Sequence, residues 1–112
     1  MSNKNGETPE LATKVRVYHA EGKGKADLLG FADLVIGGAF VIKSIRILRV
    51  NPEKAGGEVC APFISFPSRR SGRSEEEMRY VDVAHPITSE AYHAAAKLIL
   101  DHYRQAAANA PQ

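Results

Sequence analysis

The chain has one cysteine, Cys60, so it forms no internal disulfide, and that usage fits a reducing cytosol. It has no run approaching the ~20 apolar residues that a membrane-spanning helix needs. Its opening, MSNKNGETPE, carries no apolar segment of the kind that directs secretion. These absences point to a cytoplasmic protein with no membrane partner. A large excess of one charge is missing too. Lys and Arg total 15 against 13 Asp and Glu, a net charge of +2, so any claim of a nucleic-acid partner has to rest on how the charge is distributed. His19, His85, His93 and His102 fall in no metal-ligand spacing, and Gly22-Lys23-Gly24-Lys25 lacks the strand–loop–helix setting of a phosphate-cradling loop. No metal, cofactor or small-molecule substrate is expected. No internal repeat or low-complexity segment appears.

What is present is ordinary globular material. The chain's 112 residues are 44% hydrophobic and 25% charged, enough for one domain with one modest core. Residues 1–12 read as a polar tail, 13–108 as the domain and 109–112 as a C-terminal tail. In residues 13–19 Val15 and Val17 alternate with Lys14, Arg16 and Tyr18, the pattern of a half-buried strand. Glu21 to Asp27 read as a turn. The apolar runs Leu28 to Ile36 and Ala39 to Val50 flank Gly37-Gly38, a strong hairpin signal because tight hairpin turns need positive φ. Ile45 and Ile47 have the opposite parity to Phe40 and Ile42, so a bulge near Lys43-Ser44 is expected to keep both pairs in the core. Arg46 and Arg49, three apart, do not share a strand face.

Asn51 to Gly57 is a turn cluster, and Pro62 marks the start of a strand, Phe63-Ile64-Ser65-Phe66. Cys60, with no base beside it in sequence, reads as a small filler at the sheet rim. Met78 to Val83 is a second β-like run, expected to meet the first across a charged loop. The last element is a helix over about Ser89 to Ala107. Thr88 or Ser89 caps it, Glu90 sits at the positive end of its dipole, and Ile87 and Tyr92 stand at the two positions of a hydrophobic staple. Tyr92, Ala95, Ala96, Ile99, Tyr103 and Ala106 form its apolar stripe, while His93, Lys97, Asp101 and Arg104 share its outer face. The fold class is therefore α+β: a small antiparallel sheet with a C-terminal helix packed against it.

Chemistry concentrates in PFISFPSRRSGRSEEEMRYVDVAHPI, residues 62–87. Asp82 and His85 are the nearest thing to a catalytic pair, but no third group orients them. With Pro86 they read instead as a structural corner, Asp82 fixing the His85 ring or accepting turn amides. Arg69 and Arg70, flanked by Ser68 and Ser71, follow a strand-breaking proline. Arginine forks bind phosphate oxygens bidentately, and serines add hydrogen bonds. The competing reading pairs these arginines with Glu75, Glu76 or Glu77 across the loop. Arg46, Arg73 and Lys97 complete the candidate basic set.

Three segments resemble one known family. Phe40-Val41-Ile42-Lys43-Ser44-Ile45-Arg46-Ile47 is similar to a strand of the stage V sporulation protein G (SpoVG, septation-regulator) family, Phe63 to Arg70 resembles its FVAMPS[KR]R block, and Asp82 to Ile87 its D-I-A-H-P-I block. The order is preserved, and the likeness spans about Val15 to Tyr103. It implies a homodimer that binds DNA, and in some members RNA, in bacterial gene regulation tied to septation and sporulation, with no catalytic residues. Arg69 and Arg70 match the family's basic pair and Arg46 its strand arginine. The chain departs from the pattern in a longer loop from Arg49 to Ala61, in Ser74-Glu75-Glu76-Glu77, and in Tyr92 where a basic residue is expected. The alternative function is a non-enzymatic protein-interaction module.

Overall fold

A computed structural model of the chain describes residues 9–17, 26–50, 56–57 and 61–109. The strands are β1 (Leu11–Val17), β2 (Ala26–Ile36), β3 (Phe40–Val50), β4 (Phe63–Ser65), β5 (Ser68–Ser71) and β6 (Arg79–Asp82), followed by helix α1 (Ser89–Asn109). β1 to β4 form an antiparallel sheet in the order β1-β2-β3-β4, and β5 and β6 form a separate two-stranded sheet. This is the α+β class read from the sequence. Of the expected turn at 21–27, residues 21–25 lie outside the described residues, as do most of the 51–57 cluster and Cys60, while Ala26 and Asp27 belong to β2, where they pair with Val50 and Arg49.

The β2–β3 hairpin turns where the two glycines require it. Gly37 and Gly38 have φ of 60° and 66°, and the Ala39 N–H donates to the Ile36 carbonyl at 3.1 Å. Further along, Ala32 pairs with Ile45 but Leu34 with Ile42, so Lys43 and Ser44 together oppose Asp33. This is the bulge the parity change demanded. Ser44 enters the left-handed region at φ 64°, and its N–H donates to Asp33 Oδ1 at 3.3 Å. A second irregularity, between Leu28 and Gly30, places Leu29 in the core.

The bulge brings Ile42, Ile45 and Ile47 to the core side. Phe40 does not join them: it is 74% exposed. The helix begins beside Leu11 and Ile42, where Ala91 and Ala95 share a small apolar cavity with them, so the hairpin tip extends past its cover. The core comprises Leu29, Ala32, Leu34, Ile45, Ile47, Ile64 and Phe66 from the chain before the helix, with Ala95 and Ile99 from α1. Ile45, Ile47 and Ile99 are fully buried, each contributing about 1.5–3 kcal/mol.

Four further expectations are corrected. β1 begins at Leu11, two residues before the alternation was read to start, because Leu11 extends the same inward parity. The segment after Phe66 does not return to pair with β4: β4 pairs with β3, while β5 pairs with β6, the chain switching sheets at Phe66-Pro67. α1 runs to Asn109 rather than Ala107. Thr88 caps α1, its Oγ1 accepting the Ala91 N–H at 3.1 Å, but Ile87 is 90% exposed and makes no staple. Tyr92 turns instead to the Phe66 ring, 6.0 Å away between centroids.

α1 covers only one face of the four-stranded sheet, packing on β1, β2 and β4. Register fixes what lies on the other face. Arg16 pairs with Phe31, Phe31 with Arg46 and Arg46 with Ser65, giving a row across all four strands.

Candidate nucleic-acid interface

Arg69 and Arg70 lie within β5, not in a loop. Successive strand residues point to opposite faces, so the two guanidiniums diverge. Arg70 opposes Tyr80 and shares a face with Ser68 and Asp82, whereas Arg69 opposes Val81 and shares a face with Ser71 and Arg79. Both arginines are exposed, and among the described residues neither forms an ion pair with Glu75, Glu76 or Glu77. The acidic residues are held in the hairpin's turn. Glu77 N–H donates to the Ser74 carbonyl at 3.1 Å, Met78 N–H to the Glu75 carbonyl at 3.2 Å, and Arg73 N–H to Glu77 Oε2 at 3.3 Å.

The face carrying Ser68, Tyr80 and Asp82 closes one side of a groove of about 820 Å³. The other side is the uncovered sheet face, with Phe31, Ser44, Arg46 and Ser65, and Pro67 is the joint between the two. At the floor Arg46 Nη2 donates to Ser65 Oγ at 3.2 Å, leaving the rest of its exposed guanidinium unpaired among the described residues. Beyond Phe31, Arg16 Nη2 stands 3.8 Å from Asp33 Oδ1.

Of the residues singled out in the sequence, Arg46, Ser68 and Asp82 meet in this groove, with Arg70 on its hairpin wall. Arg69 is on the hairpin's other face and Arg73 in its turn. Lys97 is not brought to the groove. It lies on the exposed surface of α1, on the far side of the sheet, and its Nζ donates to Asp101 Oδ2 at 2.9 Å. That ammonium, first, and the Arg104 guanidinium 3.0 Å from Oδ1 hold the Asp101 carboxyl below the usual carboxylate range.

The corner reading changes in detail. His85 Nδ1 lies 2.7 Å from the Pro86 carbonyl oxygen, so Nδ1 carries the proton, and Asp82 does not fix the ring. His85 and Pro86 line the small apolar cavity beside Leu11 and Ala91, while Asp82 faces the groove. Phe31 and Tyr80 went unnoticed in the sequence. The signal for Phe31 was there: it shares parity with Asp33, which marks that side of β2 as facing away from the core. Among the described residues, no cluster of three His, Cys, Asp or Glu side chains is placed to hold a metal, and no helix is long and apolar enough to cross a membrane.

The model of the SpoVG family matches residues 11–105, from the start of β1 nearly to the end of α1. The chain belongs to the SpoVG family. It is also 31% identical, over 97 residues, to a protein of Heliobacterium modesticaldum described as "Putative septation protein SpoVG", an alignment covering 87% of this chain and 91% of that one. No solved structure matches the chain significantly. The SpoVG match takes in every strand and all three motif segments, Phe40 to Ile47, Phe63 to Arg70 and Asp82 to Ile87.

Proposed function

We propose that this SpoVG-family chain is a nucleic-acid-binding regulatory protein of the septation-regulator type. The observation that carries this reading is the group of exposed arginines on and beside the β5–β6 hairpin. Arg46, Arg69, Arg70, Arg73 and Arg79 are all exposed, and among the described residues none is neutralised by a carboxylate. Exposed, unpaired guanidiniums suit phosphate oxygens, to which they donate bidentately. Because Arg69 and Arg70 point to opposite faces, a backbone held by both crosses the hairpin rather than lying along one side of it. Phosphate contacts of this kind set affinity and position without specifying sequence. The septation role is supported by the family and by the description of the Heliobacterium relative as a septation protein.

A second reading, a protein-interaction module, is favoured by one feature. Val83 and Ile87, between the hairpin and α1, are 62% and 90% exposed. A salt titration separates the two. Binding of labelled DNA and RNA oligonucleotides should weaken steeply as salt rises, and Arg69→Ala/Arg70→Ala should lower affinity for every sequence and flatten the log–log slope by about two. An unchanged affinity in the folded double variant overturns the phosphate role of this pair. Absence of binding to both polymers leaves the interaction module standing.

A further inference from the structure

The groove differs from a phosphate-binding surface in what lines it. Two aromatic rings face it, Phe31 from the sheet and Tyr80 from the hairpin, and Tyr80 is 71% exposed. Each has a guanidinium as its cross-strand partner on the same face: Arg46 and Arg16 flank Phe31 on either side, and Arg70 opposes Tyr80. Directly opposed side chains in a sheet stand about 4.5–5.5 Å apart at Cβ. A carboxylate, Asp82, faces the same space. A carboxylate repels a phosphate, but it accepts hydrogen bonds from the amino groups of bases. At about 820 Å³ the groove lies within the roughly 300–1,000 Å³ of sites that take organic ligands.

We infer that this groove is a stacking site for unpaired bases, which makes the chain selective for single-stranded over double-stranded nucleic acid. The inference rests on the nucleic-acid reading above and adds the class of ligand. Phe31 and Tyr80 supply ring faces for successive bases, Asp82 and the Ser65 and Ser68 hydroxyls meet base edges, and Arg46 and Arg70 hold the flanking phosphates. Bases inside a duplex are stacked on both faces and offer the groove only their edges. Splayed bases of a loop or single strand offer their faces, and every base has one, so stacking tolerates any sequence. RNA and DNA single strands share this chemistry.

The test compares labelled 12-nucleotide RNA and DNA single strands with blunt duplexes of the same sequences at one salt concentration. The full chain is measured alongside Tyr80→Ala, Tyr80→Phe and Phe31→Leu, the last keeping an apolar side chain on β2 while removing the ring. Single strands should bind at least about 10-fold tighter than duplexes. Tyr80→Ala and Phe31→Leu should each weaken single-strand binding about 5-fold or more and leave duplex binding unchanged, and Tyr80→Phe should retain wild-type affinity. Because the chain has no tryptophan, tyrosine emission is directly readable, and a base stacked on Tyr80 should quench a component that Tyr80→Phe removes. The inference is overturned if single strands and duplexes bind equally, or if Tyr80→Ala and Phe31→Leu fold and bind single strands like wild type. If Arg69→Ala/Arg70→Ala still weakens binding in that case, the phosphate reading survives alone. No binding of either form by the wild-type chain defeats both.

Discussion

At Gly30, β1 and β2 approach so closely that a Cβ would collide with the carbonyl oxygen of Arg16. The obstacle is backbone in a paired strand, opposite Val17 in the register, so it does not swing aside as a side-chain tip would. Gly30→Ala is therefore expected to lower stability by about 1–3 kcal/mol, the usual cost of overpacking. A urea midpoint equal to wild type would show that the two strands separate freely there. The neighbouring Asp33 illustrates a different residue-scale constraint. It shares parity with Phe31 on the open face, its carboxylate accepts the Ser44 N–H at the bulge, and its carbonyl accepts the Thr13 hydroxyl at 2.7 Å. One acidic residue in an apolar run thus ties three strands together. Its sequence position flagged the outward face, but not these partners, which come from strands on both sides of it.

At the scale of elements, the outer face of α1 carries a pH-responsive ion-pair cluster. Asp101 sits four residues after Lys97 and three before Arg104, and both cations reach it. With its folded pKa depressed, Asp101 supports the helix while ionised. That support is present above the ordinary carboxylate pKa and disappears as pH falls through the lower folded value. Asp101→Asn should accordingly be less stable than wild type at neutral pH and converge with it under acid conditions. Thermal melts at several pH values check this, and a gap that widens on acidification would contradict it. The same ion pair occupies Lys97, which is why α1's outer face contributes little to the basic surface. How far each element could be read from sequence follows from how local its determinants are. The Gly37-Gly38 turn, the bulge at Lys43-Ser44 and the Thr88 cap are written within a few residues, and all were legible. The β4 partner was not. Phe63-Ile64-Ser65-Phe66 is equally β-prone whichever strand it meets, and Pro67 breaks the run without stating that the chain changes sheets there. For the same reason Arg69-Arg70 looked like a paired fork: adjacency in sequence becomes divergence only once both residues are known to lie in a strand. Arg16, Phe31 and Arg46 form a row only through register, which no single segment encodes.

On the scale of the whole molecule, the described residues leave the sheet with two open edges and one uncovered face. Among the described residues β1 and β4 each have a strand on one side only, and β4 is three residues long. Both edges carry β-prone residues, Val15 and Val17 in β1 and Phe63 and Ile64 in β4. Unpaired edges invite another chain, and this one defends them weakly. Exposed apolar side chains add to the case: Phe63 on β4 is 39% exposed, and Val83 and Ile87, between β6 and α1, are 62% and 90% exposed. A two-fold contact that covers such groups is the commonest oligomer symmetry, and the family resemblance implies the same assembly. The chain is therefore expected to be a homodimer at micromolar concentration, with Val83 and Ile87 in or beside the seam. Sedimentation equilibrium at tens of micromolar should give twice the chain mass of 12.2 kDa, and Val83→Asp/Ile87→Asp should shift it toward a single chain while the fold, read by circular dichroism, is kept. A monomer mass for the wild type would refute the dimer; a dimer indifferent to the double substitution would move the seam to the β1 edge. Such a dimer would matter for binding because it would set two hairpins, each with Arg69 and Arg70, on one body. A long polyanion that reaches both gains avidity without any new contact, and a short one that reaches only one does not. Affinity should consequently rise with oligonucleotide length well beyond one groove's worth of bases in the wild type, and lose that dependence in Val83→Asp/Ile87→Asp if the seam lies there.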